Sequence, residues 1–218
     1  MAETPVARSP IRPAPPTGVR DGWEVSLLRS HTNLRLADWS PLTKVLVRAD
    51  ESGRVADRLG VPFGRAAEDE SGTLVVGSGP GEWLLLGRPH ALSAVQARID
   101  TSEDDLVSVI DLTHGRALMR LSGAEAVKVL SKVCAIDFAD HVTPDRAVFR
   151  TSIAEVATDV VRDDVRGPES TERSYLLHCE RSSGQFLFDA LLDAGQEFEI
   201  EVDGFRLDDV QRRTTGES

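Results

Sequence analysis

The feature that most restricts the fold is the order strand, turn, strand, helix within residues 106–134. Leu106–Leu112 is strand-like, and after a short turn Arg116–Leu121 places apolar residues at alternate positions, as a strand does. Ser122 and Glu125 then match a capping box, which predicts that a helix follows. The segment therefore indicates a mixed fold of strands and helices.

Similar units lie on both sides of this segment. Two hairpins are predicted, each from two apolar runs: Thr73–Val76 with Trp83–Leu86, and Ala147–Ile153 with Val156–Arg162. Further strands are expected at Trp23–Leu27, Thr43–Arg48, Ser174–Cys179 and Phe198–Val202, and helices at Glu51–Leu59, after Pro89 and from Ser182 or Ser183 to Gly195. The chain is thus predicted to be α/β (α+β), with a mostly antiparallel sheet, helices on it, and a strand, strand, helix, strand unit that appears twice.

Composition limits the classes of partner. The 218 residues carry 25 Lys and Arg against 36 Asp and Glu, so the net charge of −11 disfavours nucleic acid and anionic lipid. No apolar run is long enough for a transmembrane helix. Cys134 and Cys179 fit neither a disulfide framework nor a zinc ribbon. We therefore expect a cytoplasmic protein.

The two ends differ from the middle in composition. Met1–Gly22 has five prolines and few aliphatic residues, which predicts a flexible arm that could lie along a partner's groove. Trp23–Val202 is expected to form one α+β domain or two small lobes, because its hydrophobic content is sufficient for a core. Residues 203–218 are interpreted as a polar C-terminal tail.

Two motifs could carry chemistry, and each has a structural alternative. Gly77, Gly79 and Gly81 follow a strand, but a strand and not a helix comes next, so a turn is favoured over a phosphate-binding loop. Asp111 and His114 could form an acid/base pair, because a carboxylate can orient an imidazole. A histidine that bonds to the local backbone of a turn is the favoured interpretation of His114.

The remaining polar candidates are also interpreted structurally. His178 and Cys179 are adjacent in a predicted strand, so their side chains point to opposite faces and do not readily share a metal. Asp163 and Asp164 could be paired carboxylates, but a solvated charge cluster beside neighbouring arginines is favoured. Cys134 is expected to pack as a small hydrophobic residue.

Four stretches together carry a family resemblance: Gly81–Leu86, Val109–Gly123, Arg150–Ala154 with residues 162–164 beyond it, and Ser174–Asp193. In their order and spacing they resemble the gamma subunit of heterotetrameric sarcosine oxidase. The likeness covers Trp23–Val202. It implies a relationship in fold to the aminomethyltransferase of glycine cleavage, a folate-binding type of fold in which helices lie across paired strands.

The resemblance also implies where cofactors lie. The transferase has a Gly-Gly pair followed by paired acids that serve folate chemistry, whereas this chain has Ala154–Asp159 in the corresponding hairpin, so Asp159 is not assigned a catalytic role. FAD, FMN, NAD and tetrahydrofolate are implied to belong to the large alpha and beta subunits of such a complex, which also contains a small delta subunit. This chain has no Rossmann fingerprint, metal cluster or nucleophile triad. We therefore expect no catalytic, cofactor-binding or metal site on it.

The leading hypothesis is a non-catalytic gamma-type subunit of a sarcosine oxidase complex, which oxidises sarcosine on a flavin. A stand-alone folate-binding protein or folate-dependent aminomethyltransferase is the alternative from another class, since it would have the same type of fold. A structural scaffold in some other complex is the third hypothesis.

Overall fold

The computed structural model describes residues 5–99, 106–167 and 170–206. The larger of its sheets has six strands, and all neighbours are antiparallel except the last pair, which is parallel. In spatial order the strands are β11 (Val148–Ile153), β12 (Val156–Arg162), β15 (Ser174–Glu180), β10 (Arg116–Ser122), β4 (Arg35–Asp38) and β16 (Glu201–Asp203).

A second sheet has five antiparallel strands, in the order β6 (Ala66–Glu68), β7 (Leu74–Gly79), β8 (Glu82–Gly87), β5 (Thr43–Arg48) and β9 (Ser108–Asp111). A small sheet near the N-terminus has the order β1 (Ala7–Arg8), β3 (Trp23–Ser26) and β2 (Thr17–Arg20). A two-stranded ribbon is formed by β13 (Val165–Arg166) and β14 (Thr171–Glu172).

The helices are α1 (Arg54–Leu59), α2 (Leu92–Ala97), α3 (Ala126–Val133) and α4 (Gly184–Gly195). α3 and α4 pack on one face of the six-stranded sheet, and the other face packs on the five-stranded sheet. α1 and α2 cover the far face of the five-stranded sheet. The two large sheets therefore lie between helix layers. None of the helices among the described residues is long and apolar enough to cross a membrane.

Strand alternation divides each strand between two cores. On β15, Leu177 and Cys179 belong to the core beneath α3 and α4, while Leu176 belongs to the core between the two large sheets. Successive side chains of a strand point to opposite faces, so His178 lies on the side of Leu176. Polar residues at such positions are enclosed between the sheets.

Two connections carry the chain between the large sheets, β4 to β5 and β9 to β10, and they lie side by side. Leu112 N–H donates to the Lys44 carbonyl at 2.8 Å, and Lys44 N–H donates to Thr113 Oγ1 at 3.1 Å. Trp39 N–H donates to the Leu118 carbonyl at 2.8 Å. The turn after Leu112 therefore moves the chain from one sheet to the other, and the two strands that flank it belong to different sheets.

Most predicted elements are confirmed. The two predicted hairpins are the antiparallel pairs β7–β8 and β11–β12. β3, β5 and β15 lie where alternation placed strands, and α1, α2 and α4 where spacing placed helices. The mixed, mostly antiparallel fold class is confirmed as well.

The prediction of a capping box at the start of α3 is wrong. Ser122 is the last residue of β10, and Glu125 occupies the N-cap position without a side-chain capping bond. Between them Gly123 has φ = 127°, and a Cβ there would lie 1.8 Å from the Asn33 carbonyl oxygen. The chain turns sharply at this point because only glycine tolerates that conformation and that approach.

Three short strands lie outside the predicted elements. β6 lies within residues 65–72, and β13 and β14 lie within residues 163–173. The predicted final strand is shorter than expected, because a 3-10 turn, Gln196–Phe198, precedes β16. Short strands at sheet edges carry too few residues to show a period of two.

The structure differs from the predicted flexible arm at residues 5–22. They form β1 and β2, and Ile11 is 1% exposed in the core that contains Leu187 and Phe188 of α4. Asp203 ends β16, and Phe205 is buried against Trp39 with ring centroids 6.3 Å apart, so the predicted tail is ordered as far as Arg206. Residues 1–4 and 207–218 lie outside the described residues. The choice between one domain and two lobes stays a prediction.

We expect Ile11→Ala to lower the free energy of unfolding by about 2 to 5 kcal/mol, because the substitution leaves a cavity in the core. Val6→Ala is the matched control: Val6 is exposed on the same segment, so its loss should change stability by no more than about 0.5 kcal/mol. Urea unfolding of both variants measures the difference. Equal, small effects would mean that the segment is not part of the folded core.

Candidate functional site

Asp111 and His114 do not act as a pair. Asp111 Oδ1 accepts a hydrogen bond from Thr113 N–H at 2.8 Å and so closes the local turn. The His114 ring stacks on Trp23 with centroids 4.7 Å apart, and its carbonyl accepts from Arg181 at 3.0 Å. The His114 ring therefore contacts β3, and its expected bond to the local backbone of the turn stays a prediction.

The glycine-rich run after β7 is a hairpin turn. Gly81 has φ = 63°, and a Cβ there would lie 2.5 Å from the Ala49 carbonyl oxygen. The next element is β8, a strand that pairs with β7. The backbone N–H groups of this turn are therefore not followed by the helix that a phosphate-binding loop requires.

A polar cluster lies where β11, β12 and β15 are neighbours, with Asp159 and His178 buried and Arg150 exposed. Asp159 pairs in register with Arg150 on one side and with His178 on the other, so the three side chains share a face. His178 Nδ1 lies 3.3 Å from Asp159 Oδ2, and Arg150 Nε donates to Asp159 Oδ1 at 2.5 Å. Glu82 on β8 lies 3.7 Å from the Arg150 guanidinium. We call the two buried members, Asp159 and His178, the Asp159 cluster.

The cluster holds Asp159 ionised and His178 neutral. Burial acts to raise the pKa of Asp159, but hydrogen bonds from His178 and Arg150 outweigh it and lower the pKa to about 2. Burial lowers the pKa of His178, against the opposing effect of the Asp159 carboxylate. The imidazole therefore donates through Nδ1 to a carboxylate, which is the arrangement of many general-base dyads.

The dyad lacks access to a substrate. Asp159 is 7% exposed and His178 is 3% exposed. The Nε2 atom of His178 is buried and has no hydrogen-bond partner among the described residues. A general base must lie within about 3 Å of the proton that it removes, directly or through one water. In this structure the imidazole is therefore enclosed at the sheet interface, with Asp159 as its partner.

Asp163 and Asp164 are buried, so their interpretation as a solvated cluster is wrong. Asp163 accepts hydrogen bonds from the guanidinium groups of Arg120 and Arg146. Asp164 accepts from Arg162, with its two oxygens 3.1 and 3.2 Å from Nε. Each carboxylate is thus neutralised by arginines, the usual condition for a buried charge. The distant arginines that hold Asp163 lie on β10 and before β11, which a local pattern of sequence does not reveal.

The cysteines are not placed for nucleophilic or metal chemistry. Burial raises the pKa of the Cys179 thiol to about 11, which leaves it protonated and inert. Cys134 is half-buried, with its sulfur 3.8 Å from Thr151 Oγ1. Cys179 and His178 face different layers, as alternation predicted. Within the residues that the structure describes, no three His, Cys, Asp or Glu side chains form a group that could hold a metal.

Lys44 is a buried amine that sequence reasoning did not single out. It lies on β5 and is fully buried, and its Nζ donates to the carbonyls of Ser40 at 2.7 Å and Leu42 at 2.9 Å. Burial lowers its pKa to about 7, while the carboxylates of Asp38 and Asp111 act to raise it. One feature of the sequence indicated this burial: Lys44 lies two residues before Leu46, on the same face of an apolar strand.

The fold matches two kinds of known protein. The structure matches a chain of heterotetrameric sarcosine oxidase from Corynebacterium sp. U-96 with a TM-score of 0.62 and 25% identity, over 80% of this chain and 85% of that one. It also matches aminomethyltransferase T of the glycine cleavage system from Bartonella henselae with a TM-score of 0.63 and 15% identity, over 86% of this chain and 55% of that one. No family model matches the chain.

The sequence comparison agrees with the first of these structures. Sarcosine oxidase subunit gamma from Corynebacterium sp. (strain U-96) is 29% identical over 147 residues, which are 66% of this chain and 67% of that protein. The layers and strand order therefore define an aminomethyltransferase-like fold. Within that class the chain is similar to the sarcosine oxidase gamma subunit, as the four matching stretches predicted.

We expect the free energy of unfolding to rise by about 2 kcal/mol between about pH 6.5 and 8.5 because of Lys44. In that window the unfolded lysine keeps its proton, whereas folded Lys44 loses it as the pH passes its lowered pKa of about 7, so the unfolded state binds more protons and stability increases with pH. Chemical denaturation at a series of pH values measures this slope.

Lys44→Met should remove that part of the slope. Lys128→Met is the matched control, because Lys128 is exposed on α3 and its loss should leave the slope unchanged. The window ends below the range in which Cys179, whose pKa is raised to about 11, contributes in the opposite sense. A Lys44→Met protein with the slope of the unmodified chain would show that Lys44 keeps its proton throughout.

Proposed function

We propose that the chain is the non-catalytic gamma-type subunit of a heterotetrameric sarcosine oxidase complex, which oxidatively demethylates sarcosine to glycine. The fold match to sarcosine oxidase, over 80% of this chain and 85% of the matched chain, is the observation that carries the proposal. The relative named as subunit gamma supports the assignment to that subunit. The partners are then large alpha and beta subunits and a small delta subunit, in a cytoplasmic complex.

The condition of the polar groups supports an assembly role. The Asp159 cluster and the Asp163 and Asp164 carboxylates are enclosed and paired with arginines or histidine. Such pairs hold strands in one arrangement, but they are not open to a substrate. The chemistry of the complex therefore falls to the partner subunits, where we place FAD, FMN, NAD and tetrahydrofolate.

The residues at the Asp159 hairpin do not fit a folate site. The Asp159 carboxylate is already bound by Arg150 and His178, and it is 7% exposed. A carboxylate that recognises a ligand needs an oxygen that is open to it. The alternative of a stand-alone folate-dependent transferase is not favoured, since the match to aminomethyltransferase T at 15% identity concerns the fold alone.

We expect an affinity-tagged version of the full chain, expressed in its source cells and purified gently, to come down with two or more larger chains in a yellow complex. A visible absorption spectrum identifies the flavin, and an assay with sarcosine measures oxidation. A chain that purifies alone and monodisperse, from cells that contain the large subunits, would refute the assembly role.

Separating the subunits of that complex tests where the cofactors lie. We expect the isolated chain to be colourless and to give no heat with tetrahydrofolate in calorimetry, while the larger chains keep the flavin. Flavin on this chain, or saturable folate binding to it, would contradict the non-catalytic assignment.

A further inference from the structure

The segment Pro5–Arg20 is basic, whereas the protein as a whole is acidic. It contains Arg8, Arg12 and Arg20 and no acidic residue, although the chain has 36 acidic residues and a net charge of −11. The three arginines are exposed. Within the described residues Arg12 and Arg20 form no ion pair, and Arg8 lies 3.9 Å from Glu24. The segment thus presents unneutralised positive charge on an acidic protein.

This segment is fixed on the body of the protein. Ile11 is buried in the core under α4, and Arg12 N–H donates to the side chain of Gln185 at 2.6 Å. The guanidinium of Arg181 donates to the Arg8 carbonyl at 2.9 Å. The surface that the segment presents is therefore held in place before any partner binds, which lowers the entropy cost of association.

The outer face of the small N-terminal sheet is partly apolar. Arg8, Glu24 and Val19 lie side by side on it, because the register pairs Arg8 with Glu24 on one side and Glu24 with Val19 on the other. Val19 is 60% exposed and Val6 is 47% exposed. Exposed aliphatic side chains beside charged ones are typical of the edge of a protein interface.

Two open grooves meet on this face. One has a volume of about 760 Å³ and is lined by Val6, Arg8, Val19 and Glu24 among others. The other has a volume of about 320 Å³ and is lined by Arg8, Arg12 and Glu24, together with prolines. They share Arg8 and Glu24, so they form one concave strip along the segment.

The strip borders an open sheet edge. β2 is the last strand of its sheet, with β3 as its neighbour among the described residues. Extended peptides commonly bind by adding a strand at such an edge, with side chains alternating into neighbouring grooves. An extended occupant therefore fits both the edge and the shape of the strip.

We propose that Val6, Arg8, Arg12 and Val19, which we call the arm surface, dock an extended acidic segment of a larger partner subunit. The proposal rests on the assembly role proposed above and names the face that mediates it. The charge argues for an acidic occupant, because two unneutralised or weakly paired arginines flank the apolar groove. The chain as a whole has a net charge of −11, which repels an acidic partner from the rest of the protein. The arm surface therefore also selects the orientation of docking.

A charge-reversed double variant, R8E/R12E, tests the proposal by association with the large subunits of the complex, prepared without this chain. We expect its association rate at low salt to fall roughly tenfold or more, because steering by opposite charge is lost. The unmodified chain should lose the same advantage as salt is raised, whereas the variant should depend little on salt.

The matched control is R65E/R88E, which changes the net charge equally. Arg65 and Arg88 are exposed beside the strands of the five-stranded sheet, and neither lines the two grooves of the arm surface. We expect this control to associate as the unmodified chain does. Circular dichroism and urea unfolding confirm that both double variants are folded, since neither removes a buried side chain.

A third variant tests the apolar part of the surface. Val19→Asp is tolerated by the fold because Val19 is exposed, and we expect it to increase the dissociation rate of the complex. Equal binding of R8E/R12E and the unmodified chain, or an equal loss in the R65E/R88E control, would overturn the arm surface as the docking face. Faster association of R8E/R12E would mean that the occupant is basic and would overturn the proposal too. If the unmodified chain fails to bind the large subunits at all, the assembly role itself fails.

Discussion

The arrangement of the two large sheets depends on the hydrogen bonds that the buried amine of Lys44 donates. It lies on β5, at the point where the chain has just left β4, and it donates to the carbonyls of Ser40 and Leu42 in that connection. Those carbonyls are buried in the crossing, and an unpaired buried carbonyl costs about 1 to 3 kcal/mol. The long side chain of a lysine reaches both of them, which a hydroxyl or a shorter side chain on the same strand would not do.

The second crossing is tied to the first through the backbone of the same residue. Lys44 bonds to Leu112 and Thr113, which connect β9 to β10, so both passages between the sheets close together. The sheets are then held face to face, and the polar residues between them are shut in. The Asp159 cluster is the consequence: it has the composition of a catalytic dyad, but the closed interface gives it a structural role.

Local signals predicted much of this fold and little of its polar interior. Turn formers and alternation identify β7, β8, β11, β12 and β15, since each depends on neighbours along the chain. Asp159 and His178 are 19 residues apart and meet only because β12 and β15 pair in one register. Asp163 was interpreted as solvated for the same reason, because its arginine partners lie on other elements. The arm was mistaken for a flexible one because its anchor in the core, Ile11, has its partners on distant elements.

That anchor explains how a proline-rich, basic segment can serve an assembly. A flexible arm would lose conformational entropy when it bound, about 1 to 2 kcal/mol for each backbone residue that became ordered. Here folding has already ordered the segment, since Ile11 lies in the core and Arg12 bonds to α4 through Gln185. The prolines reduce the freedom of the unfolded chain as well, so they favour the folded arm. The chain thus keeps a preformed surface, and association is the function that such a surface can perform.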